Sequence, residues 1–194
     1  MSEPSDRTFT SLAGRLLVAM PGIGDPRFEH AVILVCAHGP DHGMGLRIDR
    51  PAPGVDLAQV LKKLAVEDGG AAPNRHVLVG GPVERERGFV LHTDDWMAED
   101  ASVPFGEGLA VTATREALAA MTDPVKRPRR AVLLLGYAGW GDGQIEEELA
   151  ENVWLTADAD LDLIFDEDHD TKWSRALARI GVDAAWLSSD AGRA

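Results

Sequence analysis

One cysteine in 194 residues, Cys36, excludes an intramolecular disulfide framework. Positive charge is scarce as well. Against 32 Asp and Glu stand only 19 Lys and Arg, a formal net charge of −13. Such a chain lacks the dense cationic surface that displaces counterions from a phosphate backbone, so general nucleic-acid binding is excluded. No uncharged stretch approaches the roughly 18 residues of a membrane span. The opening MSEPSDRTFTSLAG carries neither a cationic leader nor an apolar segment. A soluble cytoplasmic protein with no membrane partner is expected. Internal repeats and low-complexity tracts are missing too. What is present is a globular composition, 45% apolar and 26% charged. A domain of this length buries about 70% of its unfolded surface and needs no disulfide or metal staple. Residues 1–11 read as a disordered tail and 12–194 as one domain.

The apolar runs are short. Arg15 to Met20 (RLLVAM) stops at Pro21-Gly22 and reads as a buried strand. Ala31 to Ala37 (AVILVCA) is β-branched and closed by Gly39-Pro40, with Met44 to Asp49 as its neighbouring strand. Asp56 can cap a helix to about Ala65, in which Val60, Leu61 and Leu64 share a face and Lys62 and Lys63 suit the C-terminal end of the macrodipole. After a surface loop from Glu67 to Asn74, His76 to Val79 and Phe89 to His92 read as strands joined through Gly80-Gly81-Pro82 and Gly88. Asp94 to Gly108 shows no period and is expected to wrap the surface. Leu109 to Val111 is a short strand, and Thr112 or Thr114 starts a helix to about Met121. The unbroken Ala131 to Leu135 (AVLLL) predicts a central strand buried on both faces. Glycines follow it, then an acidic helix from Asp142 to Glu151. Val153 to Thr156 and Leu161 to Phe165 have strand-like composition, and a last helix from Thr171 to Ile180 ends where Gly181 can take a left-handed cap.

Three stretches carry a resemblance: MPGIGDPRFEHAVILVCAHGPDHGMGLRIDRP from Met20 to Pro51, GGPVERERGFVLHT from Gly80 to Thr93, and GYAGWGDGQIEEELAENVWLTADADLDLIFD from Gly136 to Asp166. With KWSRALARIGVD near the end, the chain resembles the YqgE/AlgH family of bacterial proteins along nearly its whole length. The resemblance implies an α+β fold, a mixed, barrel-like β-sheet flanked by helices. It brings no catalytic residues and no cofactor, although one branch is labelled a regulator of alginate gene expression. Two positions depart from the family pattern, which has Gly in place of His42 and His in place of Arg193.

Several constellations could carry chemistry. Cys36 and His38 are two apart, so a continuous strand would turn both side chains to one face and set an imidazole beside a thiol. A buried cysteine filling an apolar strand is the simpler account, since an anionic protein opposes thiolate formation. Cys36, His38, Asp41 and His42 are metal-ligand types in one loop, but Gly39-Pro40 prevents the helical spacing that zinc sites use. GYAGWGDG, from Gly136 to Gly143, could offer backbone donors to an anion. It lacks the third glycine of the dinucleotide fingerprint and opens a helix bearing Glu146, Glu147, Glu148 and Glu151. A tight turn packed by Tyr137 and Trp140 is the plainer reading. Between them lies a binding surface, in which Trp140 presents a rigid aromatic face beside the side of the helix carrying Gln144, Glu147, Glu148 and Glu151. Gly81-Pro82 with Arg87 would add a groove wall, or else an exposed hairpin connection. The basic cluster Lys126, Arg127, Arg129 and Arg130 is broken by Pro128 and has no recognition helix beside it.

Three functions follow. The favoured one is a non-enzymatic regulatory or adaptor protein that binds a protein partner through Gly81, Pro82, Arg87, Tyr137, Trp140, Gln144, Glu147 and Glu148, with no cofactor and no metal. The others are a thiol-dependent enzyme or redox protein using Cys36 and His38, and a DNA-binding regulator using Lys126 to Arg130.

Overall fold

The computed structural model describes residues 9–187. Ten strands and five α-helices form an α+β fold around a curled half-barrel sheet. The strands are β1 (Arg15–Ala19), β2 (Val32–His38), β3 (Gly43–Arg47), β4 (Pro51–Asp56), β5 (His76–Val79), β6 (Val83–Thr93), β7 (Ser102–Phe105), β8 (Leu109–Thr112), β9 (Ala131–Trp140) and β10 (Trp154–Asp158). The helices are α1 (Leu57–Lys63), α2 (Arg115–Thr122), α3 (Gln144–Ala150), α4 (Leu161–Phe165) and α5 (Lys172–Arg179). The main path runs β10-β1-β2-β3-β9-β6-β8-β7, with β5 on β9 and β4 on β5. Among the described residues only the β5–β9 pair is parallel.

The chain entering β1 touches the β7–β8 turn across the curl of the sheet because glycines let backbone meet backbone. A Cβ on Gly14, just before β1, would lie 2.6 Å from the Cα of Gly106 in the β7–β8 turn. Both glycines have positive φ.

β1 from Leu16 and β2 up to Ala37 are apolar because both faces of the sheet are covered. Leu16, Val18, Val32, Leu34 and Cys36 join the core under α4 and α5, whereas Leu17, Ala19, Ile33 and Val35 join Ile145 of α3. A third cluster packs α1 and α2 on β5, β6 and the start of β9. Local signals set several boundaries. Asp56 caps α1 with Gln59 closing a capping box, Thr114 rather than Thr112 caps α2, and Gly181 has φ +76°.

Four expectations need correction. β9 does not stop at Leu135; it continues through the glycines to Trp140, so Gly136–Trp140 is neither a tight turn nor an anion loop. Leu161 to Phe165 is helix α4 rather than strand, capped by the Asp160 carboxylate accepting from the Leu163 N–H. The stretch from Asp94 to Gly108 contains strand β7, and Pro51–Asp56 forms a strand that Pro51 and Pro53 disguise. In the expected tail, Phe9 packs on the His38 ring and Ser11 Oγ donates to the His38 carbonyl. Residues 1–8 of that tail, and Arg193, lie outside the described residues.

β5 and β6 follow one another in sequence yet lie on opposite edges of β9, so the link between them must step over that strand. It does so at glycines. A Cβ on Gly80 would sit 2.3 Å from the Gly136 carbonyl oxygen, and one on Gly81 2.0 Å from the Tyr137 carbonyl carbon. β6 then pairs Val83 with Tyr137, throws Glu84–Arg87 outward as a bulge, and resumes pairing at Gly88 with Leu135. The crossing sets Pro82 and Val83 beside the last residues of β9.

Candidate functional site

The end of β9 is organised by one carboxylate. Glu148 on α3 accepts hydrogen bonds through Oε2 from the Trp140 indole N–H at 2.9 Å and the Trp154 indole N–H at 2.6 Å, and through Oε1 from Gln144 Nε2 at 2.7 Å. Gln144 Oε1 in turn accepts from the Gly141 backbone N–H at 3.0 Å. Two aromatic side chains, each with a buried polar end, are thereby satisfied by one acceptor group. The rings of Trp140 and Trp154 meet edge to face at 6.3 Å.

This arrangement overturns the reading of Trp140 as an outward aromatic face. Its side chain is 7% exposed and belongs to the core between α3 and the sheet, with Ile145 and Trp154. Gly81 is buried under the crossing and offers nothing to a ligand. Glu148 is half-buried and pins aromatic rings, while Glu147 and Glu151 are exposed and stand free of side-chain partners among the described residues.

The same neighbourhood nevertheless forms a groove. A depression of about 520 Å³ lies between the 23–28 loop, Pro82-Val83, the end of β9, α3 and Trp154. A second of about 490 Å³ adjoins it at Val83, Gly139 and Trp140, continuing past Tyr137, Phe89, Met44, His42 and Arg87. Of the residues expected to bind, Pro82, Arg87, Tyr137, Trp140, Gln144 and Glu148 line this double groove, Trp140 as buried floor and Gly139 as an exposed floor residue without a side chain.

The loop wall was not legible in the sequence. It is held by a buried pair in which Arg47 Nη2 lies 2.7 Å from Asp49 Oδ2, while the Arg47 guanidinium also donates to the carbonyls of Arg27 and Glu29. Asp49 further accepts from the Val32 N–H. Phe28 is thus set edge-on to Trp154 at 5.8 Å.

Cys36 and His38 do not form a couple. The β2–β3 register shifts between Val35 and Ala37, a bulge that breaks the alternation of faces. Cys36 is 4% exposed in the inner core, where burial pushes its thiol pKa well up. His38 instead accepts the Leu12 N–H at Nδ1, 3.0 Å away, and faces Glu146 with Nε2 at 3.1 Å. Among the described residues, no three His, Cys, Asp or Glu side chains converge as metal ligands, so Cys36, His38, Asp41 and His42 are not gathered into one set. The basic cluster lies in the loop before β9, where Arg127 donates to the Ala71 carbonyl and Arg130 pairs with Asp162. No helix among the described residues is long and apolar enough to cross a membrane.

Comparison with known proteins settles the family. The AlgH-like family model matches residues 16–185. The chain belongs to the YqgE/AlgH family. A UPF0301 protein of Caulobacter vibrioides is 57% identical over 183 residues, covering 94% of each chain. One from Ruegeria pomeroyi is 47% identical, covering 94% of this chain and 99% of its own. The solution structure of the AlgH protein from Pseudomonas aeruginosa is 36% identical, with a TM-score of 0.74 and full coverage of both chains.

This family member also buries a cluster of bases that the sequence did not announce. Lys172, at the start of α5, is wholly buried; its ammonium donates to the Ile164 carbonyl at 2.9 Å and lies 3.8 Å from Asp166. Desolvation lowers its pKa to about 8, against the supporting charge of Asp166. Beside it His169 is buried, edge-on to His76 at 5.3 Å. Neither ring nitrogen of His169 completes a hydrogen bond, although the Ile48 carbonyl lies close enough to favour the protonated ring. Burial first, then Lys172 and His76, lowers the His169 pKa, and burial does the same for His92.

Both kinds of base take up protons in the unfolded chain before they do in the folded one. Stability held above the ordinary imidazole value of 6.5 is therefore lost as pH falls through the lowered values, and stability rises as pH climbs from about 8 toward 10.5. Urea midpoints should fall between pH 7 and 5. Lys172→Met should flatten the alkaline rise, and an unchanged alkaline slope in that variant would remove Lys172 from this account.

Proposed function

We propose that the protein is a non-enzymatic regulatory or adaptor protein of the cytoplasm, linked to the control of gene expression, that binds a protein partner in the double groove at the end of β9. The observation that supports this reading is the groove itself: two adjoining depressions of a size that ligands occupy, walled by half-buried Phe28 and Tyr137 and exposed Val83 and floored by a glycine. Six of the eight residues singled out from the sequence fall on it, Gly81 and Glu147 being the exceptions, although Trp140 and Glu148 serve as its frame rather than its reading head. The thiol alternative would need a reactive thiolate, and Cys36 is sealed in the core. The DNA alternative would need a dense free basic cluster, and two of its four cations, Arg127 and Arg130, are engaged within the chain.

Gly139→Leu tests the reading. The position is exposed with ordinary φ, and an added Cβ would meet only the Tyr137 ring at 3.4 Å and Val83 at 4.0 Å, so a leucine fills the groove without disturbing β9. Affinity isolation should recover a partner with the wild-type protein and lose it with Gly139→Leu, while Arg127→Ala retains it. Equal recovery by all three proteins would place the partner surface elsewhere.

A further inference from the structure

We infer that the groove takes a linear peptide segment by an arginine side chain, which enters beside Phe28 and is met by Glu148 and Glu151. The inference rests on the groove being the binding site and adds the chemistry of its occupant.

Three observations carry it. The α3 side of the first depression presents Glu148 and Glu151, with Asp25 on the opposite wall, against the single cation Arg27. Glu148 Oε1 takes one hydrogen bond, from Gln144, and keeps a second acceptor position; Glu151 is exposed, and its carboxylate has no hydrogen-bond or ion-pair partner among the described residues. The site already shows how it accommodates a guanidinium. Arg27 lies with its Cζ 5.9 Å from the Phe28 ring centroid and makes three contacts to the Asp25 carboxylate, an aromatic-plus-carboxylate setting for a planar cation. Finally, the groove is uneven along its length, because the second depression is lined by no carboxylate and its Arg87 is already paired with Glu84. The cation of an extended segment is therefore drawn to the α3 end. With a net charge of −13, the protein as a whole also draws a cationic segment toward it.

Arginine fits better than lysine because its plane can lie on the Phe28 ring while its edge reaches a carboxylate in two-point fashion. Its aliphatic stem would lie along Ile23, Val83 and the bare backbone of Gly139.

The test uses the intact protein and three blocked pentapeptides, Ala-Leu-Xaa-Leu-Ala, in which Xaa is arginine, citrulline or glutamate. Binding is read from the indole N–H resonances of Trp140 and Trp154. The arginine peptide should shift both signals and bind about tenfold more tightly than its uncharged citrulline isostere, an advantage that shrinks with added salt. The glutamate peptide should not bind. Glu151→Lys should erase the preference for arginine while leaving the spectrum folded, since that side chain is exposed. Equal affinity for all three peptides, with all of them blocked by Gly139→Leu, would overturn the arginine assignment and leave the groove standing. Shifts that persist in Gly139→Leu, or none with any peptide, would overturn both.

Discussion

Trp140→Ala is expected to destabilise the protein by about 3–5 kcal/mol, the cost of emptying a buried indole site. The ring fills the space between Ile145 of α3 and the sheet, and no small rearrangement of neighbouring β-strands can close it. The loss extends beyond packing. Glu148 would keep its bond from Trp154 but face a void where the Trp140 N–H had been, and a carboxylate beside a new apolar cavity is poorly solvated. Urea denaturation followed by circular dichroism gives the value. A midpoint equal to that of the wild type would mean that the indole stands in solvent. The comparison with Gly139→Leu matters, because that variant should keep its midpoint and lose its partner. The pair of variants separates the frame of the groove from its surface.

Gly81→Ala should be costlier still, above about 4 kcal/mol, in the tail reached only by a few physical mechanisms. Its Cβ would lie 2.0 Å from the carbonyl carbon and 2.2 Å from the oxygen of Tyr137, which are backbone atoms of the central strand and cannot swing away as a side chain could. The β5–β6 link would have to lift off β9, undoing the Val83–Tyr137 pairing and one wall of the groove with it. Gly136→Ala should behave similarly, since its Cβ would meet the Gly81 carbonyl oxygen at 2.5 Å and its φ is +73°. Gly141→Ala is the control, for nothing lies within 4 Å of a Cβ there. Thermal unfolding of the three variants should therefore show two large losses and one near-neutral change. A Gly81→Ala protein melting within a few degrees of the wild type would mean that the strand crossing is looser than this geometry requires.

The buried bases act on a different coordinate, pH rather than packing. Lys172 is held by Ile164 and Asp166, and its charge bears on buried His169, so proton uptake opposes folding at the junction of α4 and α5 as it does at His92 on β6. That sensitivity lies away from the groove, and the two can be measured independently.

Much of this protein was legible in its residues taken in order. Short apolar runs gave β1, β2, β5 and the first half of β9, because strands covered on both faces need no alternation. Asp56, Thr114 and Gly181 marked helix ends, because capping is a local matter between a side chain and the backbone a few residues away. The family could be identified from the same stretches, and with it the curled sheet. Leu161 to Phe165 misled, since five apolar-rich residues carry no clear period and only the Asp160 cap decided for helix. What required the tertiary structure was every relation across the chain: that the glycines after Leu135 extend β9 instead of ending it, because another segment must pass over them at backbone contact distance. Likewise a bulge parts Cys36 from His38, and Trp140 turns inward because Glu148, on a separate element, accepts its N–H together with that of Trp154. Composition and local pattern determine which segments form; where their polar ends find partners depends on which elements come to lie side by side.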